Sequence, residues 1–455
     1  MSIGVELGNG RPQQTKVQNL YAAVWRWHFY AGMIFAPFLV ILAVTGGIYV
    51  FKPQIESLMY KDYYYVQQGQ QKLTVQEQIQ KMNAAYPEAK LNKAKPSFAP
   101  NRSSEFEVKS EGQSLLIFIN PYNGQVLGDL NPDTKLMQYI REFHGKLMIG
   151  KTGDRIIELS ACWAMILLVT GLYLWWPRGK QSIYGIILPR MNKGKRMFWR
   201  DLHAVTAFWL SLFIAALIVT GLPWSGFMGT YINKAATYPQ GMFSFDQRKP
   251  ESTVPTKDVV KGVPWAAEQL PIPNSAPSAN GSISIEQVMD IGQSKGLASG
   301  YQIALPAGEK GVYTLYSTTG DPKQQTTLHI DQYSGNVLAD QRFQDFSFMA
   351  KAITIGIALH QGEYFGATNQ IICLMVCLGI ILVAASGVVM WWLRKPEGRV
   401  GAPALPKDFK MVKWVALITI GLGIVFPLVG ISLLIVLILD GLVLRRLPAL
   451  KKVLG

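Results

Sequence analysis

Of 455 residues only three are cysteine and 16% are charged, where soluble domains carry about 25% charge. That shortage excludes an ordinary soluble domain of this length. All three cysteines, Cys162, Cys373 and Cys377, fall in apolar stretches, so the polar segments hold no disulfide framework. No C-x-x-C-H is present, which excludes covalent c-type haem attachment, and no C-x-x-C offers a zinc or iron–sulfur site. Cys373 and Cys377 lie four apart on one helix face and read as small apolar core residues. Aspartate and glutamate are missing from the apolar stretches, which excludes a carboxylate proton relay within them. Histidine is scarce too, at five residues.

What is present is apolar length. Residues 33–50, 159–176, 204–224 and 364–393 are uncharged, and each has the 18 or more residues that about 30 Å of hydrocarbon requires. A fifth stretch, 414–439, is broken by Gly421, Gly423, Pro427 and Gly430 and reads as a tight helical hairpin, with one long tilted span as the alternative. The first stretch competes with a cleaved signal peptide, but it is long and lacks a small-x-small cleavage site, so it is expected to be a retained helix.

The net charge of +15 admits nucleic acid or an anionic surface as partner until the charges are sorted by side. Residues 1–28, 177–203, 394–413 and 440–455 hold 20 basic and five acidic residues, while 51–158 and 225–363 hold 24 of each sign. By the positive-inside rule the first group is cytoplasmic and the second lies across the membrane, in the periplasm of a bacterium. A single crossing by 414–439 would put Arg445, Arg446, Lys451 and Lys452 outside, which favours the hairpin. No cytoplasmic segment is long enough to fold alone, and the nucleic-acid reading falls.

The chain repeats itself. His28 to Thr45-Gly46 and His203 to Thr220-Gly221 are both 17 residues, each histidine closely following a Trp-Arg pair (Trp25-Arg26, Trp199-Arg200). His144 to Thr170-Gly171 and His360 to Ser386-Gly387 are both 26 residues, and both spans close with Trp-Trp (Trp175-Trp176, Trp391-Trp392). Ile119-Asn-Pro-Tyr-Asn-Gly-Gln-Val-Leu-Gly-Asp129 matches Ile330-Asp-Gln-Tyr-Ser-Gly-Asn-Val-Leu-Ala-Asp340, in each case a strand, a Gly turn and a second strand. Helical patterns starting at Thr74 and Ser284 precede these strands, making each outer domain a small α+β unit. Each half is span, outer domain, span, a parallel repeat about an axis along the membrane normal. Residues 237–280, rich in Pro, Ser and Asn, read as a loop or extension that only the second half has.

Four of the five histidines occupy repeat-related positions. His28 and His203 enter their spans from the cytoplasmic side, and His144 and His360 from the outer side, so they form one pair near each membrane face. Two histidines from different helices in an apolar bundle are what bis-histidine ligation of b-type haem requires. A single histidine near a helix end reads equally well as an interfacial or hydrogen-bonded core residue, and it is the constant spacing of all four that favours haem. Zinc would want cysteine or carboxylate partners at short spacing. Seventeen helical residues rise about 25 Å, leaving a short electron gap between two haems stacked across the bilayer. Arg26 and Arg200 sit beside the inner pair as candidate propionate partners, or as ordinary positive-inside anchors; Arg141 and Lys146 flank His144. The span-end tryptophans read as an aromatic belt. His329, whose repeat counterpart is Phe118, reads as a surface or packing residue.

The ordered set Trp25-Arg-Trp-His28, Phe143-His-Gly145, Leu359-His-Gln-Gly362, the two Thr-Gly span ends and the turns at 121–127 and 333–338 resembles the PepSY-associated transmembrane family of bacterial iron-regulated inner-membrane proteins. Haem-containing ferric-siderophore reductases are among its members. The resemblance implies electrons crossing the inner membrane to reduce a ferric siderophore or other ferric chelate outside, releasing ferrous iron. Some relatives carry a fused flavin and NADPH domain that this sequence lacks, so the donor is membrane quinol or a separate flavoprotein. The acceptor chemistry needs no acid, base or nucleophile.

The expected fold is a mainly α membrane protein: a duplicated four-helix transmembrane bundle, a C-terminal helical hairpin and two small α+β PepSY-like periplasmic domains. Its expected segments are an N-terminus 1–20, first span 21–51, first periplasmic domain 52–135, outer histidine helix and second span 136–177, basic loop 178–198, and third span 199–226. The second periplasmic domain 227–350, outer histidine helix and fourth span 351–394, loop 395–410, hairpin 411–445 and cytoplasmic tail 446–455 complete it. Two non-covalent b haems are expected, one on His28 and His203 and one on His144 and His360. The alternatives are a haem-free membrane protein that restrains a periplasmic partner, and a two-haem carrier with another acceptor such as a periplasmic redox protein or copper.

Overall fold

The computed structural model describes residues 16–178, 183–236, 252–278, 281–318, 320–396, 400–402, 412–439 and 442. Most of the expected N-terminus 1–20, most of loop 395–410 and all of tail 446–455 lie outside the described residues. Among the described residues four helices are long and apolar enough to cross a membrane: Leu20–Tyr49, Gly150–Trp175, Lys195–Trp224 and Ala367–Trp392. Two compact units divide the chain, one comprising Met1–Ala43, Glu158–Ile218 and Leu378–Gly455, the other Val44–Ile157 and Val219–Cys377.

In the first unit, aromatic side chains join the span helices. Phe35 stacks on Trp163 at 5.4 Å and Trp175 on Phe208 at 4.1 Å. Tryptophan N–H groups need acceptors wherever apolar surroundings give way to polar chain. Trp175 donates to the Ile186 carbonyl, Trp209 to that of Ile187 and Trp391 to that of Val400, so these residues also hold loops in place. Residues 412–439 form two helices, Val412–Val425 and Pro427–Leu439. Gly423 and Gly430 touch, which folds the second helix back on the first. Each arm is about 20 Å long at 1.5 Å per residue, short of the about 30 Å needed to cross. Trp163 Nε1 donates to Ser432 Oγ at 3.1 Å and ties the second arm to the second span helix.

The second unit is built on one antiparallel sheet of eight strands, ordered β4-β3-β2-β1-β5-β6-β7-β8. They are β1 Lys90–Lys95, β2 Ser104–Ser110, β3 Gln113–Ile119, β4 Val126–Leu130, β5 Gln302–Ala304, β6 Val312–Ser317, β7 Thr326–Asp331 and β8 Val337–Arg342. The two expected α+β units share one sheet, because β1 pairs with β5 through Lys93↔Ala304 and Ala94↔Ile303. Each half supplies four strands, in mirrored order about that seam.

One sheet face is covered by helices Val75–Ala85 and Ile285–Ser294, each started by a capping box, Thr74 with Glu77 and Ser284 with Gln287. Such boxes satisfy two otherwise orphaned backbone N–H groups. Under the helices lie Phe106, Ile117, Ile119, Ile303, Leu315, Leu328 and Ile330, all fully buried. On the other face Tyr63 stacks on Phe118 at 5.5 Å. The described part of the expected loop 237–280 is a packed cover instead: Val260, Val263, Ala267 and Ile272 bury against Ala304, Val312 and Tyr316. Its prolines and polar residues mask the apolar positions that do the packing.

His329 on β7 is fully buried. Its Nδ1 meets Thr314 Oγ1 at 3.0 Å, its Nε2 has no protein partner, and burial lowers its pKa to about 4. Neutral His329 therefore stabilises the sheet fully above the unfolded value of about 6.5, and that contribution disappears as pH falls from about 6.5 towards about 4. At about 1.36 kcal/mol per unit the loss approaches about 3 kcal/mol. The His329→Gln protein should lose less stability between pH 7 and pH 4 than the parent by about that amount, read as denaturant midpoints in detergent. Equal acid sensitivity of the two would refute the assignment.

Candidate functional site

The four repeat-related histidines meet in two pairs, one in each unit. In the first unit the His28 and His203 rings have centroids 6.4 Å apart at an interplanar angle of 89°. In the second, those of His144 and His360 are also 6.4 Å apart, at 73°. A ligating imidazole nitrogen sits about 2.0–2.1 Å from its metal and about 1.2 Å from its own ring centre, so two rings on opposite sides of one iron stand about 6.4 Å apart. Both pairs fit that requirement. No three of His, Cys, Asp and Glu converge among the described residues, and two imidazoles complete the coordination of a macrocycle that brings four nitrogens itself.

Each ring is held through Nδ1. His28 Nδ1 lies 2.9 Å from Thr170 Oγ1, and that hydroxyl donates its own proton to the Ile166 carbonyl at 2.7 Å, so it accepts from His28. His203 Nδ1 lies 2.8 Å from the Val383 carbonyl, which can only accept, with Ser386 Oγ at 3.3 Å. Both inner rings therefore carry their proton on Nδ1 and the lone pair on Nε2, the tautomer a metal needs. In the outer pair His144 Nδ1 meets Thr45 Oγ1 at 2.9 Å and His360 Nδ1 meets Thr220 Oγ1 at 3.1 Å.

The glycine after each hydroxyl residue makes room for the ring. A Cβ at Gly171 would lie 3.2 Å from His28 Cε1, at Gly46 3.2 Å from His144 Cε1, at Gly221 3.1 Å from His360 Cε1 and at Gly387 3.5 Å from His203 Cε1. Each Thr-Gly or Ser-Gly is thus a seat for the histidine belonging to the other span of the same half. The sequence shows these dipeptides at constant spacing but not their partners. Antiparallel packing of neighbouring spans is the signal that assigns them, since it brings the His28 end of one helix to the Thr170 end of the next.

The arginines divide differently from expectation. Arg200 pairs with Asp201 at 2.6 Å, and Arg190 grips the same carboxylate at 2.7 and 2.9 Å. Asp201 is fully buried, so both cations serve a charge that would otherwise be costly to bury. Arg26 lies over the Tyr30 ring at 5.2 Å, and Lys146 pairs with Glu142. Sequence reasoning missed Arg394. Its guanidinium lies 5.0 Å from the Trp25 ring and 5.2 Å from that of Phe29, neighbours of His28 in sequence, and its Nε is buried without a protein partner. That unsatisfied donor beside the inner pair suits a carboxylate. Beside the outer pair the Trp224 ring meets His360 edge-on at 6.1 Å.

No curated protein matches the chain. Residues 25–394 match the family described as PepSY-associated TM region, a stretch that contains all four paired histidines, all four of their seats and the whole sheet. The chain therefore belongs to the PepSY-associated TM region family.

Proposed function

We propose that the protein is a two-haem oxidoreductase of the bacterial inner membrane, built by duplication, which passes electrons across the bilayer to a ferric siderophore or other ferric chelate in the periplasm. The observation that carries this reading is the pairing of four histidines into two sets, each 6.4 Å between ring centres and each ring held through Nδ1. The mirrored strand order and reciprocal histidine seats support the duplication. The charge asymmetry between the two groups of connecting segments supports cytoplasmic termini.

In this reading His28 and His203 hold one b-type haem and His144 and His360 the other. Bound there, each haem supplies a one-electron carrier. Thr170 and the Val383 carbonyl fix the inner rings, Thr45 and Thr220 the outer ones, and Gly46, Gly171, Gly221 and Gly387 let those rings sit close to the backbone. Arg394 and Arg26 would be the partners for inner propionates, while Arg200 is paired with Asp201. Iron as the acceptor's metal, and quinol or a flavoprotein as donor, rest on the family resemblance.

Purified protein should show a Soret band, split reduced α and β bands and two haems per chain by pyridine haemochrome. His144→Ala or His360→Ala should remove about one of the two, and His28→Ala or His203→Ala the other. Unchanged haem content in all four variants would refute the ligand assignment, and a colourless parent would refute the function. Reduced haem should reoxidise on addition of a ferric siderophore.

Thr170→Val should leave two haems bound and raise the midpoint potential of one. Losing the Nδ1 hydrogen bond makes His28 a weaker donor to ferric iron. Thr170→Ser should restore the potential. Redox titrations that superimpose for parent and Thr170→Val would show that the seat does not tune the site.

A further inference from the structure

A cavity of about 300 Å³ lies in the second unit beside the outer pair. Its wall on that side includes Trp224, the ring that meets His360. Tyr49, four residues after Thr45 as Trp224 is four after Thr220, lines it too. The cover segment closes another side: Trp265 lines the cavity and packs with Ala350 and Ile357 of the helix that ends in His360. Three ionisable side chains besides Tyr49 face this space: Lys52, Glu268 and Glu363. Crowding by protein atoms pushes both carboxyls above the ordinary range, opposed by Lys257 at Glu268 and by Lys52 at Glu363. Both carboxyls face the same space as Lys52, where a protonated carboxyl can hand its proton to a ligand oxygen that becomes more basic on reduction.

We propose that this cavity is the acceptor site of the outer histidine pair, taking an electron acceptor whose oxygen atoms gain protons as it is reduced, with Glu268 and Glu363 as donors and Lys52 facing the anionic oxygens. The inference rests on the proposed function and specifies its substrate chemistry. At about 300 Å³ the space is at the small end of ligand pockets. It admits the iron-bearing arm of an oxygen-ligated chelate or the head of a quinone, which share this chemistry. For the chelate, Fe(III) would gain one electron, which a haem held by His144 and His360 would supply as the one-electron reductant. One Fe–O bond breaks as the ligand oxygen takes the proton of a glutamic acid, giving Fe(II), a hydroxyl on the ligand and a carboxylate that solvent reprotonates. A quinone takes up two electrons and two protons in successive steps of the same kind.

Binding and electron transfer are tested separately on the full-length protein. A redox-inert gallium trihydroxamate and a short-chain benzoquinone are each titrated while tryptophan fluorescence is followed. Lys52→Ala should weaken binding of at least one by about tenfold, the loss of one charge-assisted hydrogen bond. A response to gallium chelate assigns the chelate as ligand, a response to quinone alone assigns the quinone, and a response to neither overturns the site. In stopped flow, reoxidation of reduced haem by the responding acceptor should slow as pH rises and the carboxyls ionise. Glu268→Gln/Glu363→Gln should be slower by about tenfold or more and lose this pH dependence, with two haems and the parent spectrum retained. An unchanged pH profile overturns the proton-donor role. Loss of the outer haem in these variants would assign the cavity to the cofactor and overturn the proposal. If the parent binds no haem the proposed function fails, while ligand binding sensitive to Lys52→Ala still reports on the cavity.

Discussion

An imidazole placed in an apolar layer must have its polar nitrogens satisfied, and the hydrogen bond between each histidine and a hydroxyl or carbonyl on a neighbouring helix is the constraint around which the bundle is organised. Its geometry demands close approach, which is why a glycine follows each hydroxyl residue. The exchange is reciprocal: His28 sits on Thr170-Gly171 and His144 on Thr45-Gly46, and the second half repeats it with His203 on Ser386-Gly387 and His360 on Thr220-Gly221. A one-residue slip of either helix would turn its seat by about 100° away from the ring it serves. The 17-residue spacing lets one helix both offer a histidine and accept one, while the 26-residue spacing runs from a histidine on a short helix, through a turn, to the seat on the span helix that follows. The same bonds fix which ring nitrogen carries the lone pair at the inner pair, so helix register and ligand readiness come from one interaction.

The histidine pairs were legible in the sequence because helical spacing survives duplication, and four residues obeying two distances leave few arrangements. Their seats were half legible. Thr-Gly and Ser-Gly stood out as repeated, but linear order does not reveal that each belongs to the histidine of the adjacent antiparallel helix. Arg394 was hidden for another reason: it lies in a basic stretch that the positive-inside rule already explains, and only its position between Trp25 and Phe29 distinguishes it.

The seam of the sheet shows where local sequence misleads. Strand β1 reads Lys90-Leu-Asn-Lys-Ala-Lys95, and lysines along a strand are the usual mark of an exposed edge. Two of them are instead neutralised by the next strand, Lys93 by Glu107 at 3.0 Å and Lys95 by Glu105 at 2.8 Å. With those charges paired on one side, Ala94 is left fully buried against Ile303, and the strand's other edge is free to pair with β5. The ion pairs are partly exposed and add little stability. Their effect is to make a basic strand compatible with the middle of a sheet, which no reading of one strand alone can show.

The repeated spacing alone would place equivalent surroundings beside His144 and His360. The chain breaks that equivalence with one addition, the cover segment that only the second half possesses. It brings Trp265 against the helix of His360 and Glu268 to a cavity walled by Tyr49 and Trp224. The first half has no counterpart of this segment, and where the second has Glu363 three residues after its histidine, the first has Leu147. Segments 51–158 and 225–363 together carry no net charge, so their long-range field is weak and the charge at the cavity is that of Lys52, Glu268 and Glu363 themselves. The repeat thus gives the paired histidines the same geometry twice, while the segment present only in the second half adds Trp265 and Glu268 to the wall of one cavity.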